Sequence, residues 1–376
     1  MTNPFKYSEI VSGQSFCNRT QEQEDLLGFI KNSQNVLIHS HRRTGKSSLI
    51  NQVFQNIKKQ ELDIGMVYVD LFGTTSEKDF VAKAFQKLGS LESNMEKMLN
   101  ILKKAAKSFS VQFGVDPFTN QPIITPVPVS NSENDDGLPL KNLMDIFERF
   151  SKYRRLVVVF DEFQDVTEYA GSDSFEKRLR GFIQTHKNIC YIFSGSRKHI
   201  ITAMFQSNAR AFYNQAASFS LKEISSKHYV AWLKKLFADG KNKMTTNDLM
   251  LIVNRFENHP MYIQFFCYFL YEELQHSPWD ESLMEKIEDS ILKNKKAEFQ
   301  VLWGSLPKNQ RKTLKLVIIK HGKGLFAGDM SRLVEIKTAS IVSQCLKALC
   351  EKDVLIKEDK YVFQDLLFQR WLARKL

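Results

Sequence analysis

The apolar residues of this chain follow two patterns, and one replaces the other near residue 225. In the first part, short continuous apolar runs alternate with longer segments in which apolar residues recur at helical spacing. The runs are Val36-Leu37-Ile38, 66–71, 156–160 and 189–193. Continuous apolar strands that alternate with amphipathic helices are typical of a parallel sheet covered on both faces. We therefore predict an α/β domain over residues 1–222.

A stretch of different character, at about residues 90–140, interrupts this domain. It begins with a basic segment at 93–107 that predicts a helix. Two β-rich segments, 108–113 and 123–127, flank turn residues and predict a hairpin. The polar run 130–137 predicts a loop. We interpret the stretch as an insertion, and the sequence does not explain its role.

The strand pattern ends after residue 225, and only helical spacing follows. Helices are predicted at 226–238, 246–256, 260–275 and 280–303. The third carries an aromatic stripe without interleaved basic residues, which indicates core packing rather than a platform for stacking bases. We assign residues 223–303 to an α-helical lid domain.

The last segment, residues 304–376, predicts a third domain. Helices at 307–320, 327–334 and 338–349 precede two short apolar segments joined by the turn Glu358-Asp359. Three helices and a two-stranded ribbon are typical of a winged helix, whose third helix would contact double-stranded DNA. The predicted DNA contacts are Lys337, Thr338, Ser340, Gln344 and Lys360. Packing within the chain, or binding of a protein partner, stays open as the alternative.

Candidate chemistry begins at the loop after the first apolar run, which ends in Gly45-Lys46-Ser47. A strand, this loop and an amphipathic helix form the context of a phosphate-binding P-loop. Loop N–H groups and the helix N-terminus are expected to surround the β-phosphate. Gly45 permits close approach, Lys46 reaches the β- and γ-phosphates, and Ser47 ligates Mg²⁺. Ser40 replaces the first glycine of the motif and tolerates a positive φ less well.

The second half of the predicted site follows the apolar run 156–160, which ends in Asp161 and Glu162. This is the form of a Walker B strand, which we expect directly beside the P-loop strand. Asp161 would hold Mg²⁺ through water, and Glu162 would polarise the attacking water. The next run ends in Ser194-Gly195-Ser196, where either serine is placed to touch the γ-phosphate or the water, unless the segment is a plain turn. We take Ser194 as the catalytic candidate.

Composition and charge indicate the partners and the cellular compartment of the protein less specifically than the motifs indicate its chemistry. The net charge of +11 permits a nucleic acid or an acidic partner without requiring one, because a lysine-rich proteome gives the same surplus. The five cysteines lie apart without ligand spacing, which argues against a disulfide framework or zinc site and favours a reducing cytosol. No apolar run approaches the length of a membrane span, and the N-terminus lacks a signal core. We expect a cytoplasmic protein.

Over nearly its whole length the chain resembles the archaeal-type ATPase family of P-loop proteins, which is AAA+-like (of the ASCE type) and related to the STAND signalling NTPases. The segments similar to family motifs are Phe16-Cys17-Asn18-Arg19, His41 to Leu49, Asp161-Glu162-Phe163-Gln164, Ser194-Gly195-Ser196, Asn258-His259-Pro260-Met261-Tyr262 and Asp365 to Leu372. In the family these are a motif near the adenine, the Arg-Arg-x-Gly-Lys P-loop, Walker B, sensor 1, a Gly-x-Pro element of the lid, and a closing signature.

The resemblance implies ATP as the nucleotide and Mg²⁺ as its metal. The resemblance and the P-loop motif together place these residues at the nucleotide: Asn18, Arg19, Arg42, Arg43, Thr44, Gly45, Lys46, Ser47, Ser48, His259 and Pro260. The sequence itself also favours ATP over GTP, because it contains no guanine-specific Asn-Lys-x-Asp motif after the P-loop.

Two positions depart from the family pattern. Asn258 replaces the lid glycine, although asparagine still adopts a left-handed conformation. Residues 213–216 stand where relatives carry Gly-Arg before the last sheet strand, so an arginine finger is either lost or replaced by Arg210. Loss of an arginine finger costs about 10³–10⁵ in turnover. The sequence therefore leaves slow hydrolysis, or hydrolysis only in an oligomer, as an open alternative.

Three hypotheses for function follow. The first is an ATPase that acts as a nucleotide-controlled switch with a winged-helix effector. The second is a DNA-binding protein, similar to an initiator or regulator, for which ATP binding is the signal. The third is a protein-interaction scaffold of the signalling type with little turnover.

Overall fold

The computed structural model describes residues 3–91, 109–115, 122–128, 138–238, 244–327 and 330–376. The predicted helix at 93–107 and the predicted loop at 130–137 lie outside these ranges. The chain divides into two compact units. The first unit is Ser8–Ile224, and the second combines Met1–Tyr7 with Ser225–Leu376.

The first unit is built on a parallel sheet. Its strands are β1 (Val36–His39), β2 (Ile64–Asp70), β5 (Arg155–Asp161), β6 (Ile189–Gly195) and β7 (Ala217–Ser220). The five strands lie in the order β2-β5-β6-β1-β7, and every pair is parallel. Two further strands, β3 (Phe109–Val115) and β4 (Pro122–Pro128), form a separate antiparallel hairpin. The predicted α/β class and the predicted hairpin are both confirmed.

One expectation about the sheet is wrong. β6 lies between β1 and β5, so the strand that ends in Asp161 is not the neighbour of the P-loop strand. An apolar run predicts that a buried strand exists, but it carries no information about which strand lies beside it. The two halves of the predicted site therefore need a bridge other than direct strand pairing.

Helices cover both faces of the sheet. They are α1 (Thr20–Lys31), α2 (Lys46–Lys59), α3 (Glu77–Lys87), α4 (Leu138–Ser151), α5 (Ser172–Thr185) and α6 (Lys198–Gln206). On one face, buried Leu49 and Val53 of α2 pack with Ile38 and Val159 of the sheet. The opposite face buries aromatic and aliphatic side chains of α3, α4, α5 and α6 against the alternate residues of β2, β5 and β6. Because successive strand residues point to opposite faces, one run of apolar residues supplies both cores.

Between residues 225 and 305, where the sequence predicts a lid, the regular elements of the described residues are all helices. They are α7 (Ser226–Phe237), α8 (Thr246–Arg255), α9 (Pro260–Glu273), α10 (Ser282–Asn294) and α11 (Lys296–Ser305). The aromatic stripe of α9 lies in the core, as predicted, with Phe266 fully buried and Tyr262 3% exposed. The single helix predicted at 280–303 is wrong, because the helix breaks at Lys295. Neither glycine nor proline marks that break. No helix in the described ranges is both long enough and apolar enough to cross a lipid bilayer.

The end of the chain adopts the predicted winged helix. Its elements are α12 (Lys308–Ile319), α13 (Met330–Val334), α14 (Ala339–Glu351), β8 (Leu355–Lys357), β9 (Tyr361–Phe363) and α15 (Leu366–Ala373). The Thr338 side chain accepts a hydrogen bond from the backbone N–H of Ile341 and so caps α14. β8 and β9 pair antiparallel and form the wing.

Polar contacts tie α15 to the lid helices within the second unit. The Tyr262 hydroxyl lies 3.0 Å from Oδ1 of Asp365 and accepts the N–H of Leu366 at 3.0 Å. The Glu288 carboxylate, 1% exposed, pairs with Arg255 at 2.9 Å and with Arg370 at 3.0 Å. Burial of a carboxylate without such partners is costly.

Candidate nucleotide site

The P-loop accommodates Ser40 without the strain that its sequence position suggested. The residues with positive φ in this loop are Arg43, at 60°, and Gly45, at 95°, whereas Ser40 has none. The Ser40 hydroxyl lies 2.5 Å from the hydroxyl of Thr44. Serine at the first position therefore closes the loop through its side chain, which glycine has no atoms to do.

Lys46 is the first residue of α2 and is 7% exposed. Its Nζ donates a hydrogen bond of 3.2 Å to the carbonyl oxygen of His41, on the opposite side of the loop. Burial lowers the pKa of Lys46, and the nearby charges of Glu162 and Asp161 oppose that shift. A buried cation at a helix N-terminus suits a polyanionic ligand.

Ser47 connects the P-loop to the end of β5. Its hydroxyl donates to Oδ2 of Asp161 at 2.8 Å, and the Tyr68 hydroxyl donates to the same oxygen. Oδ1 of Asp161 accepts the backbone N–H of Glu162 at 3.0 Å. Asp161 is 6% exposed, so a carboxylate and a hydroxyl meet in a largely buried place. Such hard oxygen donors fit Mg²⁺, and Ser47 and Asp161 are the residues that would hold it.

Glu162 is held by residues at the end of β6. It adopts the left-handed region at φ 52°. Its Oε2 accepts the N–H of Ser196 at 3.1 Å, the Ser196 hydroxyl at 2.8 Å and Nε2 of Gln164 at 2.6 Å. Ser194 is fully buried, and its hydroxyl has no hydrogen-bond partner within the described ranges. The structure therefore brings Ser196, and not our candidate Ser194, to the predicted base.

Gly195 makes room for the Gln164 side chain. A β-carbon at position 195 would lie 2.0 Å from Oε1 of Gln164 and 2.8 Å from Cδ1 of Ile201. Gln164 is 2% exposed and cannot move aside easily. Position 195 therefore requires glycine, because the side chain of Gln164, which donates to Glu162, lies where a β-carbon would be.

Arg19 is a buried residue that donates hydrogen bonds to the P-loop backbone and its surroundings. Its guanidinium donates to the carbonyl of Thr44 at 3.1 Å and to the carbonyl of Lys222 at 2.9 Å, and it pairs with Glu22 at 3.0 Å. Only 2% of Arg19 is exposed, and both Asn18 and Arg19 adopt positive φ. These contacts hold the loop in place, and a role of Arg19 at the nucleotide stays a prediction.

The other P-loop residues differ in exposure. Arg42 and Arg43 are exposed, whereas Ser48 is buried. The Ser48 hydroxyl accepts the N–H of Val11 at 3.2 Å, which ties the preceding segment to α2. The two arginines therefore remain the candidates for contact with phosphate.

Arg210, the suggested substitute for an arginine finger, already has a partner. It forms an ion pair with Glu176, whose side chain is 1% exposed. Burial raises the pKa of Glu176, and the charge of Arg210 opposes that shift. Arg210 neutralises a carboxylate that folding removes from water. This ion pair within the first unit explains the position of the Arg210 side chain.

The remaining predicted residues lie in the second unit. Pro260 is the first residue of α9, and the His259 ring packs 4.4 Å from the Tyr262 ring. The five predicted DNA contacts are exposed at the start of α14 and on the wing: Lys337, Thr338, Ser340, Gln344 and Lys360. Their roles stay predictions.

Two residues of the site were missed in the sequence. Tyr68 was predicted only as a residue of the strand Ile64–Asp70. The one signal that could have marked it as a site residue is a hydroxyl group near the end of a buried strand. Gln164 was noticed only as part of a motif, and its contact with Glu162 depends on the turn after β5.

Comparisons with known proteins identify two domains in the sequence. The sequence profile described as "ATPase domain predominantly from Archaea" matches residues 16–266, and one described as "Probable winged helix domain" matches residues 297–374. No curated protein matches the sequence significantly.

Solved structures similar to this chain share its fold at low sequence identity. A Walker-type ATPase of Pyrococcus abyssi has a TM-score of 0.66 and 16% identity, covering 98% of this chain and 99% of that one. The ORC1 protein of Aeropyrum pernix in complex with DNA has a TM-score of 0.51 and 12% identity, covering 96% and 94%. The ADP form of the ORC2 protein of Aeropyrum pernix has a TM-score of 0.51 and 13% identity, covering 94% and 93%. With its profile match over most of the length, this chain belongs to the family of ATPase domains found predominantly in Archaea, and it carries a C-terminal winged helix.

Proposed function

We propose that this protein binds ATP with Mg²⁺ at the P-loop of its first unit, hydrolyses it, and acts as a nucleotide-controlled switch with the winged helix as effector. One observation carries the proposal. Ser47 donates to Asp161 at 2.8 Å, and Asp161 is followed by Glu162, which Ser196 holds at 2.8 Å. A hydroxyl, a carboxylate and an oriented second carboxylate at one P-loop are the groups that phosphoryl transfer to water requires.

The residues divide the work in a defined way. Lys46 and the N–H groups at the start of α2 bind the phosphates and stabilise the charge that develops on them. Glu162 orients the attacking water and accepts its proton, with Oε2 fixed by Ser196 and Gln164. Mg²⁺, when bound, supplies positive charge at the β- and γ-phosphates. Arg42 and Arg43 are the exposed cations nearest in sequence to the site.

Binding of a fluorescent ATP analogue to the full chain tests the site directly. We expect Lys46→Ala to weaken binding at least about tenfold, because a charge-assisted contact to phosphate is lost. Lys59→Ala is the matched control, since Lys59 is an exposed lysine at the end of the same helix. Equal affinities for the parent and Lys46→Ala would contradict the proposal.

A second candidate function is binding of double-stranded DNA by the winged helix. It is favoured by the exposure of Lys337 and Ser340 at the start of α14 and of Lys360 on the wing. The similar ORC1 protein of Aeropyrum pernix was solved in complex with DNA, which supports the idea by analogy only. In this case ATP binding is the signal and DNA affinity is the output.

The salt dependence of DNA binding tests this candidate. Each of Lys337→Ala and Lys360→Ala should lower the slope of log affinity against log salt concentration by about one. Lys293→Ala, an exposed lysine of α10, should leave the slope unchanged. If no affinity for duplex DNA is measured at low salt, this candidate is wrong. Nucleotide-dependent oligomerisation without DNA would then favour the protein-interaction scaffold.

A further inference from the structure

Tyr68 lies where it can act on the metal carboxylate. It belongs to β2 and pairs in register with Val159 of β5, two residues before Asp161. Its ring packs against the core on the α2 side of the sheet, the same face on which Val159 lies. The ring therefore runs along the sheet toward the end of β5, and its hydroxyl donates to Oδ2 of Asp161.

Two hydroxyl groups from different elements converge on one oxygen. Ser47, from the first turn of α2, also donates to Oδ2 of Asp161, at 2.8 Å. The other oxygen, Oδ1, accepts the N–H of Glu162 at 3.0 Å. With donors on both oxygens, the carboxylate has its rotamer fixed although only 6% of Asp161 is exposed.

The phenol keeps its proton in this environment. Burial raises the pKa of Tyr68 far above its ordinary value, and the charge of Asp161 adds to the shift. The direction of this shift agrees with the geometry, in which the Tyr68 hydroxyl donates to Oδ2 of Asp161.

We propose that Tyr68 is a positioning residue for the metal site: its hydroxyl fixes Asp161 in the orientation in which Asp161 and Ser47 together support Mg²⁺. The inference rests on the proposed function. Groups that orient a metal-supporting carboxylate change metal affinity by about 10–100-fold when they are removed. Tyr68 acts through Asp161 and does not itself touch phosphate or the attacking water.

The test is the Mg²⁺ requirement of nucleotide binding by the full chain with Tyr68→Phe. We expect about tenfold more Mg²⁺ for half-maximal binding of a fluorescent ATP analogue, with binding in EDTA unchanged. Mn²⁺ binding in the presence of the same analogue, followed by electron paramagnetic resonance, should weaken by a similar factor. Neither readout depends on hydrolysis.

Tyr169→Phe is the matched control. The Tyr169 hydroxyl, in the same unit, donates to Oγ1 of Thr74 at 2.6 Å and makes no contact with Asp161. Removing it should leave the Mg²⁺ requirement unchanged. Comparison of the two variants distinguishes a general effect of losing a tyrosine hydroxyl from the specific effect of losing the hydroxyl that donates to Asp161.

Three outcomes would overturn the role of Tyr68. The Mg²⁺ requirement of Tyr68→Phe could equal that of the parent, or become lower, or binding in EDTA could fall by the same factor as binding with Mg²⁺. The last result would indicate general damage to the loop. Failure of the proposed function is distinguishable, because it would appear as an absence of nucleotide binding by the parent protein itself.

Discussion

The Ser47 hydroxyl and Oδ2 of Asp161 lie 2.8 Å apart, although β6 separates β5, which ends in Asp161, from β1, which precedes the loop of Ser47. α2, rather than a pair of neighbouring strands, brings the two motifs together. Ser47 is the second residue of that helix, and Asp161 is the last residue of β5. The helix N-terminus thus contributes the N–H groups that we propose to face the phosphates and also the side chain that reaches the acidic residue.

The two serines at the end of β6 are predicted to respond differently to substitution. Ser196→Ala removes one hydroxyl donor from Oε2 of Glu162 and leaves the other two donors in place. We expect turnover to fall about tenfold, the worth of one hydrogen bond to a charged group. Steady-state hydrolysis of ATP measures the effect.

Ser194→Ala is the matched control for that change. The Ser194 hydroxyl is buried and has no hydrogen-bond partner among the residues that the structure describes. Its removal should leave turnover unchanged and raise the free energy of unfolding by about 0–1 kcal/mol, since burial of an unsatisfied hydroxyl is unfavourable. If Ser194→Ala slowed hydrolysis more than Ser196→Ala, our assignment would be reversed.

Arg19 is predicted to support the P-loop and not only its ligand. Arg19→Ala deletes the donors to the carbonyls of Thr44 and Lys222. We expect the free energy of unfolding without nucleotide to fall by about 3 kcal/mol, because buried carbonyls lose charged donors. Chemical denaturation measures this value.

Arg42→Ala provides the comparison for Arg19. Arg42 is an exposed residue of the loop, so its removal should weaken nucleotide binding and leave stability without nucleotide unchanged. An Arg19→Ala protein as stable as the parent would show that Arg19 acts on the nucleotide alone.

Arg210 is predicted to contribute to stability and not to turnover. Arg210→Ala leaves the buried Glu176 carboxylate without its counter-charge, which should cost about 2 kcal/mol after allowance for the partial exposure of the arginine. Turnover by the folded protein should equal that of the parent. A large loss of turnover with unchanged stability would identify Arg210 as an arginine finger.

The pH dependence of the Arg210→Ala effect has a defined sign. The pKa of Glu176 is raised in the folded protein, so its carboxyl group takes up a proton at a higher pH than in the unfolded chain. Once that group is neutral, the missing arginine no longer matters. The loss of stability should therefore be largest at high pH, where Glu176 is charged in both proteins, and shrink as the pH falls through the folded pKa of Glu176 in the variant.

A fourth prediction concerns the second unit. Tyr262→Phe removes the hydroxyl that contacts Asp365 and the N–H of Leu366 at the start of α15. We expect thermal unfolding to show a loss of about 1–2 kcal/mol. Tyr268→Phe, on the same helix, is the control, because Tyr268 contacts Tyr7 and Phe269 through its ring, which phenylalanine retains. An equal loss of stability in the two variants would contradict a stabilising role for the hydrogen bonds between α9 and the start of α15.

Much of the fold was predictable because its signals are local. The run 156–160 needs only its own composition to be read as a buried strand, and Gly45-Lys46-Ser47 needs only its flanking elements to be read as a P-loop. The winged helix was predictable for the same reason, from three helical segments and two short strands. Ser47, Asp161 and Glu162 meet as these motifs require.

The remainder depended on geometry that spacing does not encode. Ser196 reaches Glu162 because the chain leaves β6 at Gly195, and the direction of a side chain just past a strand end is not fixed by alternation. The contact of Tyr68 depends on the register between β2 and β5. The break at Lys295 escaped prediction because apolar residues continue at helical spacing on both sides.

Single-turnover hydrolysis of ATP by the parent and by Glu162→Gln tests the central claim most directly. Glutamine keeps an oxygen for the donors of Ser196 and Gln164 but cannot accept a proton from water. We predict that the variant binds MgATP with affinity within about twofold of the parent and hydrolyses it at least about 100-fold more slowly. Equal rates in the two proteins would contradict the account of the site.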